Sequence, residues 1–451
     1  MIHQFKLNGY NIVLDVPSGS IHVVDDAAFD AIALYETAPP EKIAARLVEK
    51  YAQEGMTPEE ARELLGEIGE LKASGKLFGE DKFAELSGAI KARRRAIKAL
   101  CLHVSHACNL TCQYCFAGEG RYHGERALMS LETGKKAIDF LIENSAGRRN
   151  LEVDFFGGEP LLNWEVVKGI VAYARSVEKE HGKNFRFTLT TNGVLLDDEV
   201  TDFANREMHN VVLSLDGRPE VHDRMRKTPA GEGSYDLILP RFQKFVEKRG
   251  GKGYYIRGTY TRYNLDFVED LLHLADLGFT ELSMEPVVSG PEPDYALREE
   301  DLPALFEQYE RLAREMLRRE KEGRGFTFYH YILDLTRGPC VHKRISGCGV
   351  GTEYLAVTPS GDLYPCHQFV GDEAYRMGTL DEGITNWEKY EKFASVNAYS
   401  RPECRECWAR LFCSGGCAAN AYHASGDVTG TYELGCRLFK KRLECAIMLQ
   451  A

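Results

Sequence analysis

The chain has 451 residues, 44% of them hydrophobic and 27% charged, with a net charge of −12. That is enough chain for two or three domains with ordinary cores, and the acidic balance disfavours nucleic acid as a partner. No run approaches the ~18 uninterrupted apolar residues of a membrane span, and the opening MIHQFKLNGYNIVLDV lacks a basic segment set before an apolar one, so a cytoplasmic protein with no membrane partner is expected.

The stretch FKLNGYNIVLDVPSGSIHVVD alternates β-branched and polar residues around Asn8-Gly9 and Pro17-Ser18-Gly19. This reads as short strands joined by tight turns. Two amphipathic helices follow, PEKIAARLVEKYAQ from Pro40 and TPEEARELLGEIGELKASG from Thr57. The second opens with a Thr57 cap, Pro58 at the first helical position and Glu60 in the capping-box place, and stops near Gly75. A small strand-and-helix module is therefore expected over 1–85. The run KARRRAIK (91–98) is the one candidate for binding a polyanion, and most such runs are solvated helix faces.

From Ala99 the pattern changes. ALCLHVSH, NLEVDFF (150–156), FRFTLTT (185–191), VVLSLD (211–216), YYIRGTY (254–260) and ELSMEPV (281–287) are strand candidates, with helices such as 133–145, 163–180 and 264–277 between them. Regular alternation implies βα units around a parallel sheet. Six units are too few for a closed eight-stranded barrel, so the fold class is α/β with a partial (β/α)6 barrel over 86–310. Chemistry in such barrels gathers where strands end. Cys108, Cys112 and Cys115, GGEP (157–160), TTNG (190–193) and SLDG (214–217) all fall at strand ends.

A long helix, 299–322, leads into the last region, 311–451, which is loop-like and holds a hairpin over 352–366 turning at Thr358-Pro359-Ser360-Gly361. The 13 cysteines segregate: none before Cys101, four up to Cys115, then none until Cys340. In a reducing compartment that distribution points to metal binding or catalysis. With few apolar runs, the last region is expected to draw stability from inorganic clusters.

Three thiols in CNLTCQYCF (108–116) are informative as a number. A disulfide strands one of them, and a tetrahedral zinc site needs a fourth ligand. A cubane [4Fe–4S] cluster held by three cysteines leaves one iron open. The arrangement C-x3-C-x2-C closing on an aromatic resembles the signature of the radical S-adenosylmethionine (SAM) superfamily. The resemblance implies that SAM chelates the open iron and is cleaved to a radical that takes hydrogen from unactivated carbon. It further implies cluster ligation by Cys108, Cys112 and Cys115, contact of Gly157, Gly158, Glu159 and Pro160 with the methionyl amine, contact of Asn192, Ser214 and Asp216 with ribose and carboxylate, and an adenine contact for Phe116.

The later cysteines resemble the SPASM domain of peptide- and protein-modifying radical SAM enzymes, implying two auxiliary [4Fe–4S] clusters and three in all. Carried over, Cys404, Cys407, Cys413 and Cys436 complete one. Cys348, Cys366 and Cys417 ligate the other, with Cys340 either a fourth ligand or absent from it, leaving an iron free for substrate. A zinc ribbon is the alternative reading of a lone C-x2-C, and the longer cysteine pattern here disfavours it. Cys101 and Cys445 fit neither set and read as buried thiols.

Residues 1–85 resemble the winged-helix-like element that captures a leader peptide as an added strand; a DNA-binding winged helix is disfavoured by charge. Through NGYNIVLDVPSGSIHVVDD, CNLTCQYCFAGEG and SGCGVGTEYLAVTPSGDLYPCHQFVGD, nearly the full chain is similar to maturases of SCIFF peptides, small cysteine-rich ribosomal precursors. That implies an oxidoreductase joining a cysteine sulfur to the α-carbon of an acceptor residue, such as threonine, as a thioether, with an external one-electron reductant such as flavodoxin or ferredoxin. The alternatives are an anaerobic sulfatase-maturating enzyme, and a non-catalytic iron–sulfur carrier or peptide-binding scaffold. His103 and His106 read as hydrogen-bonded structural groups. Arg226 and Arg262 are candidates for the SAM carboxylate, for substrate or for ordinary ion pairs, and Tyr354, Tyr364 and His367 are similar cases near the auxiliary cysteines.

Overall fold

The computed structural model describes all of residues 1–451 except 92–95, 123 and 336–339. The basic run 91–98 thus lies largely outside the described residues. The chain opens with an antiparallel sheet of β1 (Ile2–Leu7), β2 (Tyr10–Asp15) and β3 (Ser20–Val24). Asn8 and Gly9 both take positive φ, 50° and 86°, so the β1–β2 hairpin closes on the twist-matched turn that this dipeptide favours. Helices Asp26–Leu34, Pro40–Lys50 and Pro58–Ala73 follow. The Thr57 capping box forms, with Glu60 N donating to Thr57 Oγ1 (3.2 Å) and Thr57 N to Glu60 Oε2 (2.8 Å).

The central strand β2 is buried on both faces. Val13 packs with Ile43, Leu47, Leu65 and Ile68 of the neighbouring helices, while Phe5, Leu7, Ile12 and Leu14 join the main core. The N-terminal residues are therefore fastened to the rest of the molecule. Its partner there is the helix Glu433–Gln450, which contacts both β1 and the helix Leu302–Lys321.

The barrel strands are β4 (Ala99–Ser105), β5 (Asn150–Gly157), β6 (Asn184–Thr191), β7 (Met208–Ser214), β8 (Tyr254–Tyr260) and β9 (Glu281–Pro286). They pair in sequence order, each parallel to the next. Their outer side chains, Leu151, Val153 and Phe155 on β5 and Phe185, Phe187 and Leu189 on β6, are buried under the helices. Their inner side chains include Asp154, Phe156, Thr188 and Thr190, so the inner face is more polar than the outer one.

Two-residue β10 (Thr327–Phe328) extends the β9 edge. At the other edge β11 (Tyr354–Val357) pairs parallel to β4 and carries β12 (Asp362–Tyr364), β13 (Gly378–Thr379) and β14 (Gly383–Ile384) antiparallel, continuing the barrel sheet into the C-terminal region. The turn Thr358–Gly361 closes as expected, Gly361 N donating to Thr358 O (2.9 Å). Within the C-terminal region Phe369, Tyr375, Phe393 and Val428 form a buried apolar core of their own. Among the described residues no helix is long and apolar enough to cross a membrane.

Candidate active site

The loop after β4 carries Cys108, Cys112 and Cys115, all free and partly buried. Its path is fixed by backbone hydrogen bonds to the end of β5 and to the end of the helix Pro219–Met225 and the loop after it. Thr111 N donates to Lys227 O (2.8 Å) and Gln113 N to Met225 O (3.0 Å), while Glu159 N donates to Ala107 O (2.8 Å) and Gly158 N to Ser105 O (2.7 Å). Such contact demands glycine: a Cβ on Gly157 would stand 2.2 Å from Ser105 O, and one on Gly158 2.1 Å from Ala107 O. The two glycines of GGEP let the end of β5 lie against the triad loop.

Burial raises the pKa of all three thiols, Cys108 to about 12 and Cys112 to about 11. Their charges act on one another, so the structure brings them together. Deprotonating them calls for a cation, which iron supplies by ligation. Arg226 assists, its charge acting on both Cys112 and Cys115.

Arg226 is itself held. Its Nε donates to Asp216 Oδ2 (2.9 Å) and its Nη2 to Asp216 Oδ1 (3.1 Å). Tyr114 donates its hydroxyl to Asp216 Oδ2, and Thr259 N donates to Oδ1 (2.9 Å). Burial pushes the Asp216 carboxyl up, but Arg226, with His222 and Tyr114, outweighs it and holds the group below the usual range. Asp216 thus spends its acceptors on Arg226, Tyr114 and Thr259. Ser214 ends β7 two residues before it. Tyr114 is a member of this site that sequence reasoning missed, although it lies inside CQYC.

Glu159, 1% exposed, accepts from Thr191 Oγ1 (2.7 Å), Leu161 N (3.1 Å) and Asn192 N (2.8 Å), tying the end of β5 to the end of β6. Pro160 starts the short turn Pro160–Asn163. Asn192 Nδ2 donates to Asn109 Oδ1 (2.7 Å) and lies 3.7 Å from Cys108 Sγ. Phe116 is 44% exposed, and its ring stands 5.6 Å from that of His367.

The auxiliary cysteines fall into two sets. Cys404, Cys407 and Cys436 act on Cys413, and Cys348 and Cys417 act on Cys366. Cys340 is exposed at the start of the helix Val341–Ser346. Among the described residues no three His, Cys, Asp or Glu side chains close on a point suited to a single metal ion. Donor sets made only of thiols, spread around a volume, suit a cubane, whose irons each take one thiolate. The second set sits near the barrel because β11 pairs with β4, and Cys366 follows β12 by two residues.

Other expectations resolve plainly. Cys101 and Cys445 are buried thiols. His103 Nδ1 and His106 Nε2 share a hydrogen bond of 3.2 Å, as expected of structural histidines. Arg262 is taken up by Glu300 and, at 3.4 Å, Asp301, and so is an ordinary ion-pair partner. Tyr364 donates to Glu373 (3.1 Å).

Residues 102–239 match the radical SAM superfamily, and residues 348–408 match the SPASM iron–sulfur cluster-binding domain. An uncharacterized protein of Archaeoglobus fulgidus is 28% identical over 83% of this chain and 87% of its own length. The radical SAM cyclopropyl synthase TigE of Paramaledivibacter caminithermalis is 23% identical over 76% and 72%. A serine-type anaerobic sulfatase-maturating enzyme of Bacteroides thetaiotaomicron is 24% identical over 72% and 83%. Two solved structures share the fold. Native anSMEcpe with bound AdoMet has a TM-score of 0.64 at 22% identity over 78% of this chain and 98% of its own. Streptococcus suis SuiB bound to precursor peptide SuiA has 0.52 at 17% over 93% and 95%. The chain therefore carries a radical SAM domain with the α/β fold of that superfamily, followed by a C-terminal SPASM domain, and these domains imply [4Fe–4S] clusters and SAM as its cofactors.

Proposed function

We propose that the chain is a cytoplasmic radical SAM peptide maturase that joins a cysteine sulfur to the α-carbon of an acceptor residue in a ribosomally made, cysteine-rich precursor of the SCIFF kind. Residues 1–85 would capture the leader, 86–310 form the barrel and 311–451 carry the auxiliary clusters. The observation that carries the reading is the sheet β1–β3, in which β3 is an edge without a strand partner among the described residues while β1 is covered by the helix Glu433–Gln450. An open edge is what strand addition requires. The precursor-bound SuiB structure, matched over 93% of this chain, supports a peptide substrate.

In this reading Cys108, Cys112 and Cys115 hold one cluster, Cys404, Cys407, Cys413 and Cys436 a second, and Cys348, Cys366 and Cys417 a third, with Cys340 the candidate for its remaining iron. When bound, the triad cluster and SAM supply a carbon radical that takes hydrogen from an unactivated carbon. The protein's own residues position and shield. Asp216 and Tyr114 fix Arg226 beside Cys112, Asn192 lays its amide against Cys108, and Glu159 locks the strand ends around them. A flavodoxin or ferredoxin is the proposed reductant.

A sulfatase-maturating role is the second reading, favoured by the Bacteroides relative and the TM-score of 0.64. Against it, the anSMEcpe match leaves about a fifth of this chain uncovered, close to the share that residues 1–85 occupy. Anaerobic co-expression with a small cysteine-rich precursor, followed by mass spectrometry, separates the two. A thioether lowers the peptide mass by two hydrogens and protects one cysteine from alkylation. An aldehyde that reacts with hydrazides would establish the sulfatase role instead.

A further inference from the structure

Strand β8 sends Tyr254, Ile256 and Tyr260 into the buried core and Tyr255, Arg257 and Thr259 toward the lumen. Arg257 is the exposed member of the inner row. Its register partners are Ser214 on β7 and Ser283 on β9, which places it on the wall between the SLDG turn and the auxiliary cysteines. Its charge reaches Glu285, His330 and His367. None of them absorbs it. Glu285 already faces Arg442 and His330, each at 3.4 Å. His330 is pushed down to about 3, chiefly by burial, and is neutral, and His367 packs its ring against those of Phe116 and Phe156. The Arg257 backbone is taken up by the sheet, with Leu215 N donating to its carbonyl (3.1 Å), but its guanidinium makes no hydrogen bond or ion pair with any described residue. The corner formed by Arg257, Arg442 and Glu285 is left with one positive charge.

Water satisfies a guanidinium while the lumen is open, but a bound peptide expels that water and leaves five donors to be matched. A carboxylate matches them best, in two parallel hydrogen bonds. The auxiliary cysteines do not account for the residue. The charges acting on Cys366 come from Cys417 and Cys348, and those acting on Cys417 from Cys348 and Glu285, whereas Arg226 does act on the triad.

We propose that Arg257 anchors a carboxylate of the peptide substrate, an Asp or Glu side chain close in sequence to the modified residue. This rests on the peptide-maturase reading and adds a requirement for acidic sequence that the reading alone does not contain. SAM also carries a carboxylate, so the test must tell the two apart.

The reconstituted, SAM-loaded full-length protein is titrated calorimetrically with two acetylated, amidated pentapeptides, Ala-Cys-Glu-Thr-Ala and its Gln counterpart. The wild type is expected to favour the Glu peptide by about tenfold, the usual worth of a charge-assisted hydrogen-bond pair. Arg257→Gln should abolish the preference, and Arg257→Lys should keep part of it, which a merely unfolded variant would not. Equal binding of both peptides by the wild type, binding of neither, or a preference that survives Arg257→Gln would overturn the inference. So would a tenfold loss of SAM affinity in Arg257→Gln with the peptide preference intact, which would assign the residue to the methionyl carboxylate. A wild-type protein that binds no SAM at all would instead sink the underlying reading.

Discussion

His3 on β1 stacks on Trp408, with ring centroids 3.7 Å apart and planes within 5° of parallel. Trp408 directly follows Cys407, so the first strand of the chain lies against the loop of the four-cysteine set. Three residues on from Cys407, Arg410 reaches Asp81 at 2.6 Å, and the Tyr399 hydroxyl donates to Asp81 at 2.9 Å. The strand-and-helix module and the SPASM loop thus share one polar and aromatic contact.

That contact is asymmetric, and its loss should be too. Arg410 is almost wholly buried and Asp81 partly exposed. Asp81→Ala leaves a buried guanidinium unpaired and should cost about 3–5 kcal/mol in urea unfolding, whereas Arg410→Met, which leaves a hydrated carboxylate, should cost clearly less. Burial raises the Asp81 carboxyl, but Arg410 and Tyr399 pull it below its ordinary range. A depressed carboxylate stabilises above its unfolded pKa, so this contribution fades as pH falls through the acid range and is absent in Asp81→Ala. Equal costs for the two substitutions would contradict the account.

Much of this was legible in local pattern. The alternation in NLEVDFF and FRFTLTT places Val153 and Phe187 outward, and Thr57, Pro58 and Glu60 mark a helix start that needs no tertiary help. Pairing of β11 with β4 was not legible, because Tyr354 meets Ala99 across most of the barrel sequence and nothing in either strand encodes the partner. The helix Glu433–Gln450 escaped because its lysines and arginines blur the apolar stripe that Leu438, Leu443 and Ile447 bury. At the site, CxxxCxxC gave the thiols, but Tyr114 and Arg226 acquire meaning only through Asp216, a relation between three separate loops.

Replacing Cys108, Cys112 and Cys115 by alanine should remove about four irons and four sulfides per chain, one cubane, and leave the auxiliary complement in place. Anaerobic iron and sulfide analysis reads this directly. SAM cleavage to 5′-deoxyadenosine should disappear with it, and cleavage that persists would void the assignment of the triad.

Gly158→Ala tests the loop by backbone alone. The new Cβ would meet Ala107 O at 2.1 Å and Cys108 N at 3.1 Å, so either β5 or the triad loop must move. Such overpacking costs about 1–3 kcal/mol, occasionally more. Because the atoms displaced belong to Cys108 and its neighbour, iron retained by the triad should fall even where the protein remains folded, as judged by circular dichroism. Gly182→Ala is the control: its φ of 62° strains the backbone where Gly158 strains by a clash, nothing lies within 4 Å of its Cβ, and it should keep full iron.

Asp154 gives a pH signature inside the barrel. It sits in register with Cys101 on β4 and Thr188 on β6. Burial first, then the neighbouring Glu152, pushes its carboxyl up to about 7 against a hydrogen bond from Thr188 that lowers it. A raised acid binds its proton more tightly folded than unfolded. The folded state therefore gains from the proton at low pH and loses that gain as pH rises from about 4 to about 7, the reverse of Asp81. Asp154→Asn cannot ionise, so its melting temperature relative to wild type should climb across that window and level off above it. Anaerobic thermal melts at half-unit pH steps measure the difference. A variant that tracks the wild type at every pH would mean that Asp154 is ionised in the lumen and hydrated there, and that the barrel interior is wetter at this depth than its burial implies.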